Sequence, residues 1–169
     1  MTKNSQINKI ESSCKNYKYV YKTGHTKFKK IGNWLEKQSS IFKKEADNIT
    51  FNKPNFKRGE IIKVDFGVNT GSELSNTHFA IVLNSDDNNS VDNLTVIPLT
   101  SKKGYKRIPV GNILKDFKEK NKYSSNGYAL ITQITTISKK KIIKTNIKSF
   151  CNKETMDNII KNIIEYLTK

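Results

Sequence analysis

Chemistry in this chain begins with a histidine and a threonine far apart in sequence. His78-Phe-Ala-Ile-Val-Leu-Asn84 and Leu94-Thr-Val-Ile-Pro-Leu-Thr100 are rich in β-formers and read as two strands. The acidic, turn-like Ser85–Asn93 lies between them. Antiparallel pairing with Asn84 opposite Leu94 sets Ile81 against Ile97, Phe79 against Leu99 and His78 against Thr100. A one-residue slip would misalign those apolar pairs. The open end of this hairpin then gathers His78, Thr100, Ser101, Lys102, Lys103 and the loop Gly71-Ser72-Glu73. An imidazole exchanges protons near neutral pH, hydroxyls donate to anionic oxygens, and ammonium groups hold negative charge. Those are the tools of phosphodiester cleavage.

The elements that must position these groups begin near Lys57. Gly59–Phe66 reads as the first strand, followed by a loop of small residues from Gly67 to Thr77 and then the two strands above. Arg107–Val110 is a short edge candidate, because Pro109 cannot donate to a ladder. Asn112–Asn126 is polar and has room for a helical turn. Gly127–Ile134 and Ile142–Phe150 supply two more strands, and Lys139-Lys-Lys141 reads as a solvated turn. Met156, Ile159, Ile160, Ile163, Ile164 and Leu167 mark one face of a closing helix, read as core or dimer packing. Short strands closed by a helix predict an α+β, mainly β domain over 56–169, built as a small, partly open barrel. Residues 1–55 read as an extension: a loose basic tail with a solvated His25, an amphipathic helix near 31–49, and a linker broken at Pro54. Tyr17, Tyr19 and Tyr21 alternate with lysines, as in a short strand or a patch on which bases stack.

Charge narrows the partners. The 169 residues carry 31 Lys+Arg against 15 Asp+Glu, a net +16. Residues 58–101 hold 2 basic and 6 acidic residues, whereas 1–57 hold 13 and 4, and 102–169 hold 16 and 5. An acidic centre between basic flanks points to a polyanion met by particular surfaces, with nucleic acid foremost. Lysine supplies 29 of the 31 cations, so phosphate tracking should outweigh the forked base reading of arginine. Two cysteines and two histidines do not make a disulfide scaffold or a zinc site, so no metal or other cofactor is expected. With no membrane-length apolar run and no apolar leader, a cytoplasmic protein is expected. There is no Gly-x-Ser-x-Gly elbow and no Gly-rich phosphate loop ending in Lys-Ser/Thr, which disfavours acyl transfer and nucleotide hydrolysis.

Several stretches carry a resemblance. They are Lys57-Arg-Gly-Glu-Ile-Ile-Lys-Val-Asp-Phe66, Gly71-Ser-Glu73, Ala80-Ile-Val-Leu83, Val96-Ile-Pro-Leu-Thr-Ser101 and Leu130-Ile-Thr-Gln-Ile-Thr-Thr-Ile137. In this order and spacing the chain resembles the PemK/MazF family of bacterial toxins over roughly 57–169. The resemblance implies an SH3-like barrel of the CcdB/PemK/MazF type, a homodimer, and a metal-independent endoribonuclease acting on single-stranded RNA. It also implies an antitoxin protein as partner. Two positions depart from the family pattern: His78 stands where the family's catalytic arginine opens the second strand, and Thr135 replaces a common arginine. The family threonine is kept as Thr100.

The expected roles follow. His78 is general base or acid, Thr100 donates to a phosphoryl oxygen, and Ser72 and Glu73 order the loop or relay a proton. Ser101, Lys102, Lys103, Gln133 and Thr135 are expected to contact RNA, with Lys102 or Lys103 supplying the charge the missing arginine vacates. The alternative is a binding module on the same barrel that holds RNA without cutting it. A gyrase poison of the CcdB type is disfavoured, since Tyr166-Leu-Thr-Lys169 lacks a terminal Trp-Gly-Ile.

Overall fold

A computed structural model describes residues 3–51, 54–111, 127–143 and 150–168. The chain divides into two units, one of Met1–Thr50 with Gly67–Asn76, the other of Phe51–Phe66 with Thr77–Lys169. The expected helical turn within 112–126 and the middle of the expected strand 142–150 lie outside the described residues.

The first unit is helical. Where a loose tail was expected, α1 runs Lys3–Lys22 with no buried residue. Its sequence contains neither Gly nor Pro, so nothing interrupts the backbone ladder once it has formed. His25 is more than a solvated side chain, since its Nδ1 accepts from Lys27 N at 3.2 Å and caps the 3-10 turn Thr26–Phe28. Helix α2, Ile31–Ala46, buries Ile31 and half-buries Trp34, Leu35 and Ile41 on one stripe. The segment Gly67–Asn76 closes on itself. Asn76 N donates to Gly67 O, Asn69 N to Ser75 Oγ, and Asn69 Nδ2 to Leu74 O.

The second unit is a seven-stranded antiparallel sheet: β1 Ile61–Asp65, β2 Thr77–Val82, β3 Asn93–Thr100, β4 Arg107–Gly111, β5 Gly127–Leu130, β6 Thr135–Ser138 and β7 Ile142–Ile143. Among the described residues the strand path is β4-β5-β3-β2-β1-β7, with β6 also on β3, open rather than a closed hydrogen-bonded ring. Instead of one strand over 127–134, a 3-10 turn at Ile131–Gln133 separates β5 from β6. Both pair with β3: Leu99 faces Ala129, yet Val96 faces Thr135. Continued without interruption, the first register would bring Thr132 to Val96, so the turn absorbs three residues. From β6 the chain makes a second 3-10 turn, Lys139–Lys141, and lands on β1 as β7.

This second turn overturns the expectation of solvated lysines at all three positions, because Lys139 is buried. Its ammonium lies 2.8 Å from Asp87 Oδ1 and donates to Asn88 O at 2.9 Å. A lysine taken out of water needs such partners.

Both sheet faces are apolar where the strands overlap. Ile62, Val64, Ala80, Val82, Leu94 and Val96 are buried on one face. On the other, Ile61, Phe79, Ile81, Ile97, Leu99, Ile108 and Ala129 form a core cluster with Met156, Ile159 and Ile163. Those last three come from α3, Lys153–Thr168, whose start is capped by Asn152 Oδ1 accepting from Thr155 N at 2.8 Å. Ile164 and Leu167 continue the stripe but remain exposed.

Candidate active site at the end of the second and third strands

Ala80 faces Pro98, Ile81 faces Ile97 and Val82 faces Val96, the register read from the apolar pairs. Side chains alternate across a strand, so His78 shares the face of Ala80 and Thr100 that of Pro98. The β2–β3 ladder ends at Ala80 and Pro98. On their outer edges the strands stay paired past that point, His78 opposite Val64 of β1 and Thr100 opposite Tyr128 of β5. Each strand thus carries a half-buried side chain just past the end of their shared ladder.

The His78 ring stands edge-on to buried Phe66, with centroids 6.4 Å apart and planes at 63°. An aromatic neighbour at that angle restricts the imidazole without supplying a charge. The Thr100 oxygen accepts from Lys102 N at 3.3 Å. That bond uses a lone pair and leaves the hydroxyl proton for another acceptor.

The other expected residues fall into separate groups. Ser101, Lys102 and Lys103 are exposed on the chain leaving Thr100. Gln133 is half-buried in the inserted turn, and half-buried Thr135 faces Val96. Ser72 and Glu73 are exposed within Gly67–Asn76 of the helical unit, where Glu73 N donates to Thr70 O at 3.1 Å. Among the described residues, no group of three or more His, Cys, Asp or Glu is placed to hold a metal ion. None of the described helices is long and apolar enough to cross a membrane.

Arg107 escaped the sequence reading. It opens β4, and its Nη1 donates to Lys102 O at 2.9 Å, across the segment that follows Thr100. Its rarity was the available signal, since Arg58 is the only other arginine.

Residues 57–167 match the family described as the PemK-like, MazF-like toxin of type II toxin-antitoxin systems. The chain belongs to this family of endoribonuclease toxins. The match leaves the two N-terminal helices outside it. No curated protein sequence matches the chain. Among solved structures, MazF from Deinococcus radiodurans is 16% identical with a TM-score of 0.52, covering 69% of this chain and 99% of that one. A MazE–MazF structure from the same organism is 15% identical with a TM-score of 0.48, covering 68% and 96% of the two chains. An endoribonuclease in complex with its cognate antitoxin from a mycobacterial species is 14% identical with a TM-score of 0.46, covering 67% and 95%. The PemK/MazF-like fold thus has a histidine, His78, at the start of β2.

Proposed function

We propose that this PemK/MazF-like chain is a toxin-type endoribonuclease that cuts single-stranded RNA without a metal ion. The ribose 2′-oxygen attacks the adjacent phosphorus, forming the O2′–P bond as the P–O5′ bond breaks. A base takes the 2′-hydroxyl proton and an acid returns one to the leaving 5′-oxygen. The products are a 2′,3′-cyclic phosphate and a 5′-hydroxyl. His78 performs one of the two proton transfers. Thr100 donates its uncommitted proton to a non-bridging phosphoryl oxygen, where charge builds in the transition state.

The single observation that carries this reading is the register. Ala80 opposite Pro98 leaves His78 and Thr100 each two residues past the end of the ladder, on one face of the sheet. Lys102 and Lys103, with Ser101, track the phosphates on the 3′ or 5′ side, and Gln133 and Thr135 extend the contact along β3. Ser72 and Glu73 order their own loop or relay a proton. By the family's pattern, the active species is a cytoplasmic homodimer restrained by an antitoxin protein.

The test is incubation with RNA in EDTA. A cyclic phosphate end is expected with the parent, and roughly 100-fold slower cleavage with His78→Ala. His78→Arg should remove the limb of the pH–rate profile that an imidazole contributes. Parent-like cleavage by His78→Ala would end the assigned role. Retention of RNA without any cleavage would favour the binding module instead.

A further inference from the structure

We propose that Arg107 is a positioning residue for the phosphate-facing hydroxyl of Thr100, an inference that rests on the nuclease reading above. Thr100 ends β3, and the next six residues turn back into β4. Two hydrogen bonds organise that return. Lys102 N donates to Thr100 Oγ1 at 3.3 Å, and Arg107 Nη1 donates to Lys102 O at 2.9 Å. A single peptide residue, Lys102, is therefore gripped from both sides. Its N–H fixes which lone pair of the threonine is occupied, and its carbonyl is held by the guanidinium. With that lone pair taken, the Thr100 proton is directed away from the turn.

The guanidinium has a fitted seat. A Cβ on Gly104 would lie 3.0 Å from both Cζ and Nε of Arg107 and 3.2 Å from its Cδ. Gly104 is not in the left-handed region, so a side chain there would be opposed by this contact with Arg107 and not by its backbone conformation. The sheet adds a second constraint. Thr100 faces Tyr128, and Tyr128 faces Pro109, so Arg107 projects from the same sheet face as Thr100, two residues along β4 from Pro109. Arginine suits the task, because its planar fork holds a carbonyl in fixed geometry and stays charged at every working pH. The fixed cation sought near Thr100 thus acts through the backbone.

The experiment is a double-mutant cycle on the full chain. Arg107→Ala and Gly104→Ala are each expected to lower kcat roughly 10- to 100-fold with KM within about threefold, the pattern of a misplaced group. The double variant should be no slower than the worse single, since both disturb one contact. Millimolar guanidinium should restore part of the Arg107→Ala rate, and Arg107→Lys should retain more activity than Arg107→Ala. Amide exchange at Lys102 should quicken in Arg107→Ala while exchange in β1 and β2 stays at the parent level. Parent-like kcat in Arg107→Ala, or additive losses in the double variant, would overturn the proposal. If the parent itself cuts no RNA, the nuclease reading falls, and unchanged exchange at Lys102 would separately refute the grip on the turn.

Discussion

Lys139 and Asp87 form an ion pair inside the sheet unit, Nζ to Oδ1 2.8 Å, with both side chains withdrawn from solvent. Among the described residues, Oδ1 meets no donor but this ammonium. The other carboxylate oxygen accepts from Phe56 N at 2.8 Å, and Lys139 N donates to Asp92 O at 2.8 Å. One charge pair thus joins the chain entering β1, the β2–β3 connection and the turn between β6 and β7.

Removing one partner strands the other charge in a place water does not reach. Lys139→Met and Asp87→Leu are each expected to cost about 3–5 kcal/mol, whereas the double variant should recover most of that loss. Urea unfolding midpoints measure this directly. Additive losses would show that the two residues act independently.

What could be read from residues alone follows from which interactions are local or repeated. The register of β2 on β3 was legible because Ile81 and Ile97 meet only if the whole pairing is right. The break between β5 and β6 was hidden, since Ile131 and Ile134 continue an apolar run through the turn. Helix α1 was missed because no residue of it is buried, leaving little apolar stripe to detect. Lys139 looked like its neighbours Lys140 and Lys141; what distinguishes it is Asp87, some fifty positions earlier. In the candidate site, the expectation of His78 opposite Thr100 came from strand pairing, and the ladder stops two residues short of them, while Arg107 was overlooked because its bond is to a backbone carbonyl, which no side-chain pattern announces.

Gly67 offers a test of the helical unit. Its φ is +84, and a Cβ there would collide with the indole nitrogen of Trp34. Gly67→Ala combines left-handed strain of about 1–3 kcal/mol with displacement of the ring. Proteolysis or amide exchange should find the Gly67–Asn76 segment opened in this variant. Trp34→Ala would leave a gap but relieve the collision, so Gly67→Ala should cost less on that background. An equal cost on both backgrounds would mean that only the backbone conformation matters.

Lys27 holds the middle of the same segment, its ammonium donating to Gly71 O at 2.6 Å. A charge-assisted bond to a carbonyl at the surface is worth about 1–3 kcal/mol locally. Lys27→Met keeps the aliphatic stem and deletes the donor. Faster amide exchange from Thr70 to Glu73, with the thermal midpoint of the sheet unit unchanged, is the expected result. Unaltered exchange would show that the segment's own hydrogen bonds suffice.

Burial pushes the Cys151 thiol from 9.0 up to about 11. An acid whose folded pKa is raised ionises first in the unfolded chain. Stability from this group is therefore intact below about pH 9 and lost as pH rises toward 11. Urea midpoints at pH 8 and pH 10.5 should separate more in the parent than in Cys151→Ala. A thiol reagent at pH 8 should modify exposed Cys14 and spare Cys151 until the protein unfolds. Equal labelling of both would show that the α3 end opens readily.

Thr100 makes the sharpest test of the site, because its two hydrogen-bonding roles separate by substitution. The oxygen accepts from Lys102 N in the resting protein, and the proton is free to meet the phosphate. Thr100→Ser keeps both roles and loses a methyl, so activity within about tenfold of the parent is expected. Thr100→Val keeps the shape and loses both, and kcat should fall roughly 100- to 1000-fold, as for a deleted transition-state donor. The group is half-buried at a strand end, so the same variant should unfold within about 1 kcal/mol of the parent. Slow cleavage with near-parent stability would locate the effect in the chemistry. A Thr100→Val protein that cuts RNA at the parent rate would remove the hydroxyl from the mechanism and leave His78 without its partner.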